Sequence, residues 1–145
     1  QLDPKREKYK QFAGVWEMFQ SMFLFFMIYV YFISLYAAVA AVDVGSWVMT
    51  GVGLLFVWLG NMMGKIRQNY FVGIKVPWTL NNEEVWNKTH RLGGWCFVIA
   101  GLLLTVNAWT KILVGPIFIL AMTICLVVPI VYSYVIYKKI DLPKK

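Results

Sequence analysis

Ionisable side chains are scarce where this chain is most apolar, and that scarcity removes several functions before any motif is weighed. No Asp, Glu, Lys, Arg or His lies deep inside its four long apolar runs. Ion pumps, proton relays and voltage sensors keep such groups within the bilayer as working parts, so the sequence argues against all three. Only two cysteines occur, Cys96 and Cys125. They fall in different apolar segments that the topology below sets at different depths, so no disulfide is expected, and both read as small packing residues. There is no HExxH, no paired CxxC and no serine-lysine or nucleophile-elbow pattern. The motifs of metal hydrolysis and covalent catalysis are therefore missing. Short alternating strands, an internal repeat and a low-complexity tract are missing too, and without such strands a β-barrel is not expected.

What the chain has in abundance is apolar surface. Of its 145 residues 60% are hydrophobic and only 14% charged, more apolar side chain than a small globular core can hide. Four runs carry it: residues 16–42, 46–63, 93–109 and 116–137. The first is long enough for a helix to cross a hydrocarbon core of about 30 Å with tilt, and helices that satisfy their own backbone hydrogen bonds are the expected form of all four. The expected fold is an all-α integral membrane protein with four transmembrane helices. A very short turn at Asp43 and Gly45 joins the first pair, and one at Thr110, Lys111 and Gly115-Pro116 joins the second.

The net charge of +7 comes from 14 Lys and Arg residues. They flank the apolar runs instead of forming a separate soluble stripe, so anionic lipid headgroups are the expected partner, with no direct contact to nucleic acid. Four precede the first run, five fall in the 64–92 loop, four follow the last run, and only Lys111 lies on the other side. This bias predicts that both termini and the 64–92 loop are cytoplasmic. Trp47 and Trp109 then mark the outer interface, and Trp16, Trp95 and Tyr137 the inner one. The chain starts at Gln1, a basic polar stretch over residues 3–10 follows, and no signal-peptide pattern is present. A longer parent protein is expected on that ground.

Chemistry concentrates between Gly60 and Gly94. Gly73 predicts a turn, and Pro77 excludes helical geometry at Val76. Asn81 followed by Glu84 reads as a capping box that opens a helix over 82–91. On that helix Val85, Thr89 and Leu92 share one face, Glu84, Lys88 and Arg91 a second, and Glu83, Asn87 and His90 a third. With Trp78 and Trp86 it reads as a cytoplasmic amphipathic loop helix lying on the inner leaflet. A metal site on the third face is disfavoured because Glu83 and His90 are separated by about 10 Å along the axis. Gln20, Ser34, Thr50, Asn61, Thr105, Asn107, Thr123 and Ser133 are expected to form hydrogen bonds between helices.

The strings Gly60-Asn61, Arg67-x-Asn69, Gly73-Ile74-Lys75-Val76-Pro77-Trp78-Thr79-Leu80, Glu84-Val85-Trp86 and Thr89-His90-Arg91 together resemble the signature of the SdpI-like bacterial membrane proteins. Gln68 stands where those proteins commonly carry proline, and Lys75-Val76 where they commonly carry Arg-Thr. The resemblance implies a multi-pass protein of the bacterial cell membrane, matching the last four helices of six-helix members. It further implies immunity against a secreted peptide toxin, and signalling in which the engaged protein holds a cytoplasmic transcriptional repressor at the membrane. The expected ligand- or partner-binding residues are Asn61, Arg67, Asn69, Trp78, Glu83, Glu84, Trp86, His90 and Arg91, with no catalytic residue, metal ligand or cofactor assigned. Two further readings remain open at this point. One is a membrane hydrolase or peptidase using Glu83, Glu84 and His90. The other is an accessory subunit docking through the small residues of Ala37 to Ala41.

Overall fold

The computed structural model describes residues 13–70, 72–112 and 114–141. Among them the chain forms helices α1 (Ala13–Val39), α2 (Val44–Met63), α3 (Pro77–Asn81), α4 (Glu83–Thr110) and α5 (Val114–Asp141), with no strand. Four stretches are long and apolar enough to cross a membrane: Trp16–Val39, Val44–Met63, Glu83–Thr110 and Gly115–Ile140. The chain is a multi-pass membrane protein. Its exposed large hydrophobics line the outward faces of α1, α4 and α5, as lipid-facing helices require.

Helices α2 and α4 form the central pair. Gly53 on α2 meets Gly101 on α4, and Gly60 meets Gly94. A Cβ at Gly60 would lie 2.5 Å from Gly94 O, and one at Gly94 2.6 Å from Gly60 O. The two contacts are seven residues apart on each antiparallel helix, so both fall on one seam. Helix α1 packs only on α2, through Tyr29 and Phe26 against Gly51, while α5 packs on α4 and α3. Between α4 and α5 the core is built of Cys96, Ala100, Leu104, Ala121 and Cys125. Among the described residues the order α1-α2-α4-α5 is thus an open row, with no close backbone approach between its two end helices.

Three local expectations are corrected. The first helix ends at Val39 instead of residue 42, because Asp43 must leave helical geometry (φ −77°, ψ 82°) to cap α2 through the Ser46 N–H. The helix expected over 82–91 exists but does not lie on a leaflet. It is the start of α4, continuous with the span once placed at 93–109. Gly93 and Gly94 fail to interrupt it because they are packing sites, Gly93 facing Met63 and Ile74 and Gly94 facing the Gly60 backbone. Because α4 starts early and α5 runs to Asp141, the free thiols Cys96 and Cys125 fall at one level and share a cluster.

The polar residues inside the spans mostly bond within their own helices. Ser34, Asn61, Thr105 and Thr123 each donate to the carbonyl four residues before. The exceptions sit at the ends of the bundle. Thr50 Oγ1 accepts from Trp109 Nε1 at 3.0 Å, and Ser133 Oγ accepts from Trp78 Nε1 at 2.6 Å. Pro129, inside α5 and fully buried, goes without a backbone N–H where a transmembrane helix tolerates the loss.

The Lys111 end is closed by a small polar latch. Lys111 takes the left-handed conformation (φ 55°) that ends α4, and its ammonium pairs with Asp43. Ser46 Oγ lies 2.8 Å from Asp43 Oδ2 and 2.5 Å from Ala108 O. Trp47 and Trp109 meet edge to face with centroids 5.3 Å apart.

Two outcomes are expected. Replacing Gly101 by Ala drives a methyl into the Gly53 carbonyl and the Val57 backbone. It should cost ~1–3 kcal/mol of stability in detergent unfolding, whereas Gly115→Ala, which meets nothing within 4 Å, should leave stability unchanged or slightly raised. Bonding to the Lys111 ammonium and to Ser46 holds the Asp43 carboxyl at about 2, below its ordinary 3.8. A depressed carboxylate stabilises the fold above its unfolded value and loses that contribution as pH falls toward the folded one. The melting difference between wild type and Asp43→Asn should therefore be flat from pH 7 to about 5 and shrink below about 4.

Candidate functional site

The segment from Gly64 to Asn82 folds back over the first turns of α4 at the end of the bundle opposite Lys111. Its course is set by side chains that bond backbone. Asn69, fully buried, accepts the Val72 N–H at 2.7 Å and donates to Arg67 O at 2.8 Å, closing a local turn. Gln68, also buried, donates to Thr79 O at 2.6 Å and Leu80 O at 2.8 Å, which holds the outgoing and returning arms together. Thr79 Oγ1 accepts the Val76 N–H at 3.1 Å and lies 2.8 Å from Ile74 O. Val76 is extended (φ −114°, ψ 157°), as the following proline demands, and α3 starts at Pro77. The cap of α4 is Asn82, one residue later than Asn81, with Oδ1 accepting the Glu84 and Val85 N–H groups.

His90 and Trp86 are the floor on which this strap rests. Their rings stack with centroids 4.0 Å apart, and both residues are buried. The Ile74 N–H donates to His90 Nε2 at 2.9 Å, which requires Nε2 to carry no proton. Nδ1 then holds the proton and donates to Trp86 O, also at 2.9 Å. Trp86 Nε1 donates to Ile66 O at 2.8 Å, so the pair grips the strap at two places. Gly73 crosses directly above with φ 120°, where a Cβ would collide with His90 Nε2 and come within 2.9 Å of Trp86. Its absence of a side chain is needed for both the backbone angle and the closeness.

The nine expected contact residues thus divide in two. Asn69, Trp86 and His90 are buried and position the strap, and Trp78 docks it on α5 through Ser133, with its ring 5.3 Å from that of Tyr134. Asn61, Arg67, Glu83, Glu84 and Arg91 are exposed on the outer surface, where Glu84 pairs with Lys88 at 2.7 Å. The expected Glu83, Asn87 and His90 face does not form one environment, since His90 turns inward while the other two face out. Both ring nitrogens of His90 bond backbone groups, and Glu84 is held in its surface ion pair. No grouping of three or more His, Cys, Asp or Glu among the described residues is placed to hold a metal ion.

Sequence reasoning missed the cavity that the strap encloses. A space of about 420 Å³ lies between α1 and α5 on the face of the central pair. Trp16 and Phe19 of α1, Met62 of α2, Phe97 of α4 and Ile130 of α5 line it, and strap residues 72–76 close one end. It is almost wholly apolar, with Lys75 the one charged residue in its lining. It is made by the gap between the two end helices, a tertiary property that no local pattern encodes. Gln68 and Thr79 were also passed over, although a glutamine in place of the usual proline and a threonine two residues past Pro77 are visible signals.

Residues 65–133 match the model of the SdpI/YfhL protein family. Over 92 residues the chain is 33% identical to the immunity protein SdpI of Bacillus subtilis (strain 168), an alignment covering 63% of this chain and 44% of that protein. The chain therefore spans less than half the length of the curated relative it matches. No solved structure matches. The family match spans most of the strap and all of its floor, from Lys65 through α4 and into α5 as far as Ser133, and the chain is an SdpI-like protein.

Replacing His90 by Leu removes the acceptor for the Ile74 N–H and leaves a buried donor unmet, at ~1–3 kcal/mol. Limited trypsin digestion should then cut faster at Lys65, Arg67 and Lys75 than in wild type, with no change at Lys138 or Lys139. Equal cutting rates in the two proteins would mean that His90 does not hold the strap.

Proposed function

We propose that this SdpI-like protein is an immunity protein of the bacterial cell membrane that receives a secreted apolar peptide in the cavity beneath its strap. The observation that carries the reading is the cavity itself: apolar, open between the membrane-spanning helices α1 and α5, and closed at one end by residues 72–76 of the family-matched segment. An apolar peptide segment entering from the bilayer would bury its side chains there without meeting a buried charge. The likeness to a protein named for immunity supports the same conclusion.

The cavity is also placed to signal. An occupant touches Val72, Gly73 and Ile74, and Ile74 is the residue whose N–H is held by His90. Occupancy would then bias the strap between two positions, to the extent that the peptide binds one better than the other. The exposed groups Arg67, Glu83, Glu84 and Arg91 surround the same end and would present the altered surface to a cytoplasmic partner, in the reading a transcriptional repressor. Both termini and the strap face the cytoplasm in this scheme, as the distribution of basic residues favours.

Cells sensitive to a membrane-active secreted peptide are expected to survive it when they make this protein, and the purified protein to retain that peptide intact. Ile130→Trp, which fills the cavity from α5, should abolish both effects. Arg67→Ala together with Glu84→Ala should keep peptide retention and lose repressor capture. A cleaved peptide, or full protection by the Ile130→Trp variant, would overturn the reading.

A further inference from the structure

On the opposite side of the central pair from the cavity, a second hollow of about 200 Å³ opens between α2 and α4. It shares no lining residue with the first. The close contact of Gly60 with Gly94 forms its floor, Gly64 leaves it open at one side, and Asn61, Arg91 and Trp95 line the rest. Arg91 is exposed and makes no ion pair or side-chain hydrogen bond among the described residues. Its neighbours on the same helix face, Glu84 and Lys88, neutralise each other, so the guanidinium charge is left uncompensated there. Lys65, next to Gly64, is exposed and adds a second positive charge.

From Arg91 a single stripe runs along α4 at helical spacing: Trp95, Ile99, Leu102 and Val106. They are 62%, 54%, 54% and 62% exposed, and no other helix covers them. Eleven residues from Trp95 to Val106 rise about 16 Å, close to half of a hydrocarbon core of about 30 Å. A cation, then an interfacial indole, then one leaflet's depth of apolar surface is the complement of a phospholipid carrying a net negative headgroup.

We propose that the hollow at Arg91 seats the phosphate of an anionic phospholipid, with the Arg91 guanidinium bonding two of its oxygens and one acyl chain lying along Trp95, Ile99, Leu102 and Val106. The forked geometry of the guanidinium suits two phosphate oxygens at once. Gly64, where an added Cβ would meet nothing within 4 Å, leaves the headgroup room beside the close contact of Gly60 with Gly94. This site shares no lining residue with the peptide cavity. A lipid bound at Arg91 would cover that one part of the exposed surface offered at the strap, leaving Arg67, Glu83 and Glu84 open.

The test uses the full chain in nanodiscs of equimolar phosphatidylglycerol and phosphatidylcholine, released and weighed by native mass spectrometry. Wild type is expected to retain phosphatidylglycerol in preference to phosphatidylcholine, and Arg91→Gln to lose that preference by roughly tenfold. Gly64→Phe provides a steric check that leaves the charge in place. A Cβ at Gly64 meets nothing within 4 Å and its φ is −66°, so the ring can fill the hollow without disturbing the fold, and retention should fall. Arg67→Gln, on the strap, should keep it. Excess inorganic phosphate should not displace the lipid. Equal preference in wild type and Arg91→Gln, no effect of Gly64→Phe, or displacement by phosphate alone would each overturn the assignment.

Discussion

Backbone touching backbone between α2 and α4 is the constraint from which the rest of the molecule follows. Where Gly53 meets Gly101 and Gly60 meets Gly94, a carbonyl of one helix sits in the space a side chain would take on the other. Lipid supplies no hydrophobic drive for helices to associate, so close van der Waals contact of this kind carries much of the cohesion. With the axes that near, large side chains on both helices are turned away from the seam. They become the surfaces that receive α1 on one flank and α5 on the other, and the cavity and the Arg91 hollow open on opposite sides of the same seam.

The strap meets the second constraint of such an environment, that every backbone group near the bilayer needs a partner. The described residues between Gly64 and Val76 lie in neither helix nor sheet and must find those partners among side chains. Asn69, Gln68, Thr79, His90 and Trp86 supply them, each through a bond to main chain. This explains why residues that look like contact chemistry in the sequence turn out to be buried. An amide, an imidazole and an indole are as well suited to satisfying irregular backbone as to recognising a ligand, and their spacing alone does not tell the two uses apart.

The span count and the tight turn at Asp43 were legible because hydropathy over twenty residues and the local chemistry of Asp and Gly decide them. The start of α4 was not. Gly93-Gly94 in the sequence reads as a break, and only the neighbouring Gly60 and Met63 reveal it as a packing site. Glu84 and Arg91 lie exposed on one face of α4, as the helical pattern over 82–91 set them. Asn69, Trp86 and His90 are instead buried, because the strap covers the face of α4 that the helical pattern set against a membrane surface. Asn82 as cap, one place beyond Asn81, is the usual ambiguity of two adjacent asparagines settled by the length of α3.

The open row of helices ties these points to function. A closed four-helix bundle would bring α1 against α5 and fill the space at Trp16, Phe19, Phe97 and Ile130 with side chains. Here α5 is held on α4 by Cys96, Ala100, Leu104, Ala121 and Cys125, and at its far end by Trp78 bonding Ser133. Helix α1 is held only on α2. Nothing in either attachment draws the two end helices together, so the gap persists as a property of the packing and not of a missing side chain. The strap is tied to α4 by the Trp86 indole on Ile66 and to α5 by Trp78 on Ser133, and its residues 72–76 wall one end of that gap. The glycine seam fixes α2 and α4 against each other, so the width of the gap is set by where each of them carries its outer helix.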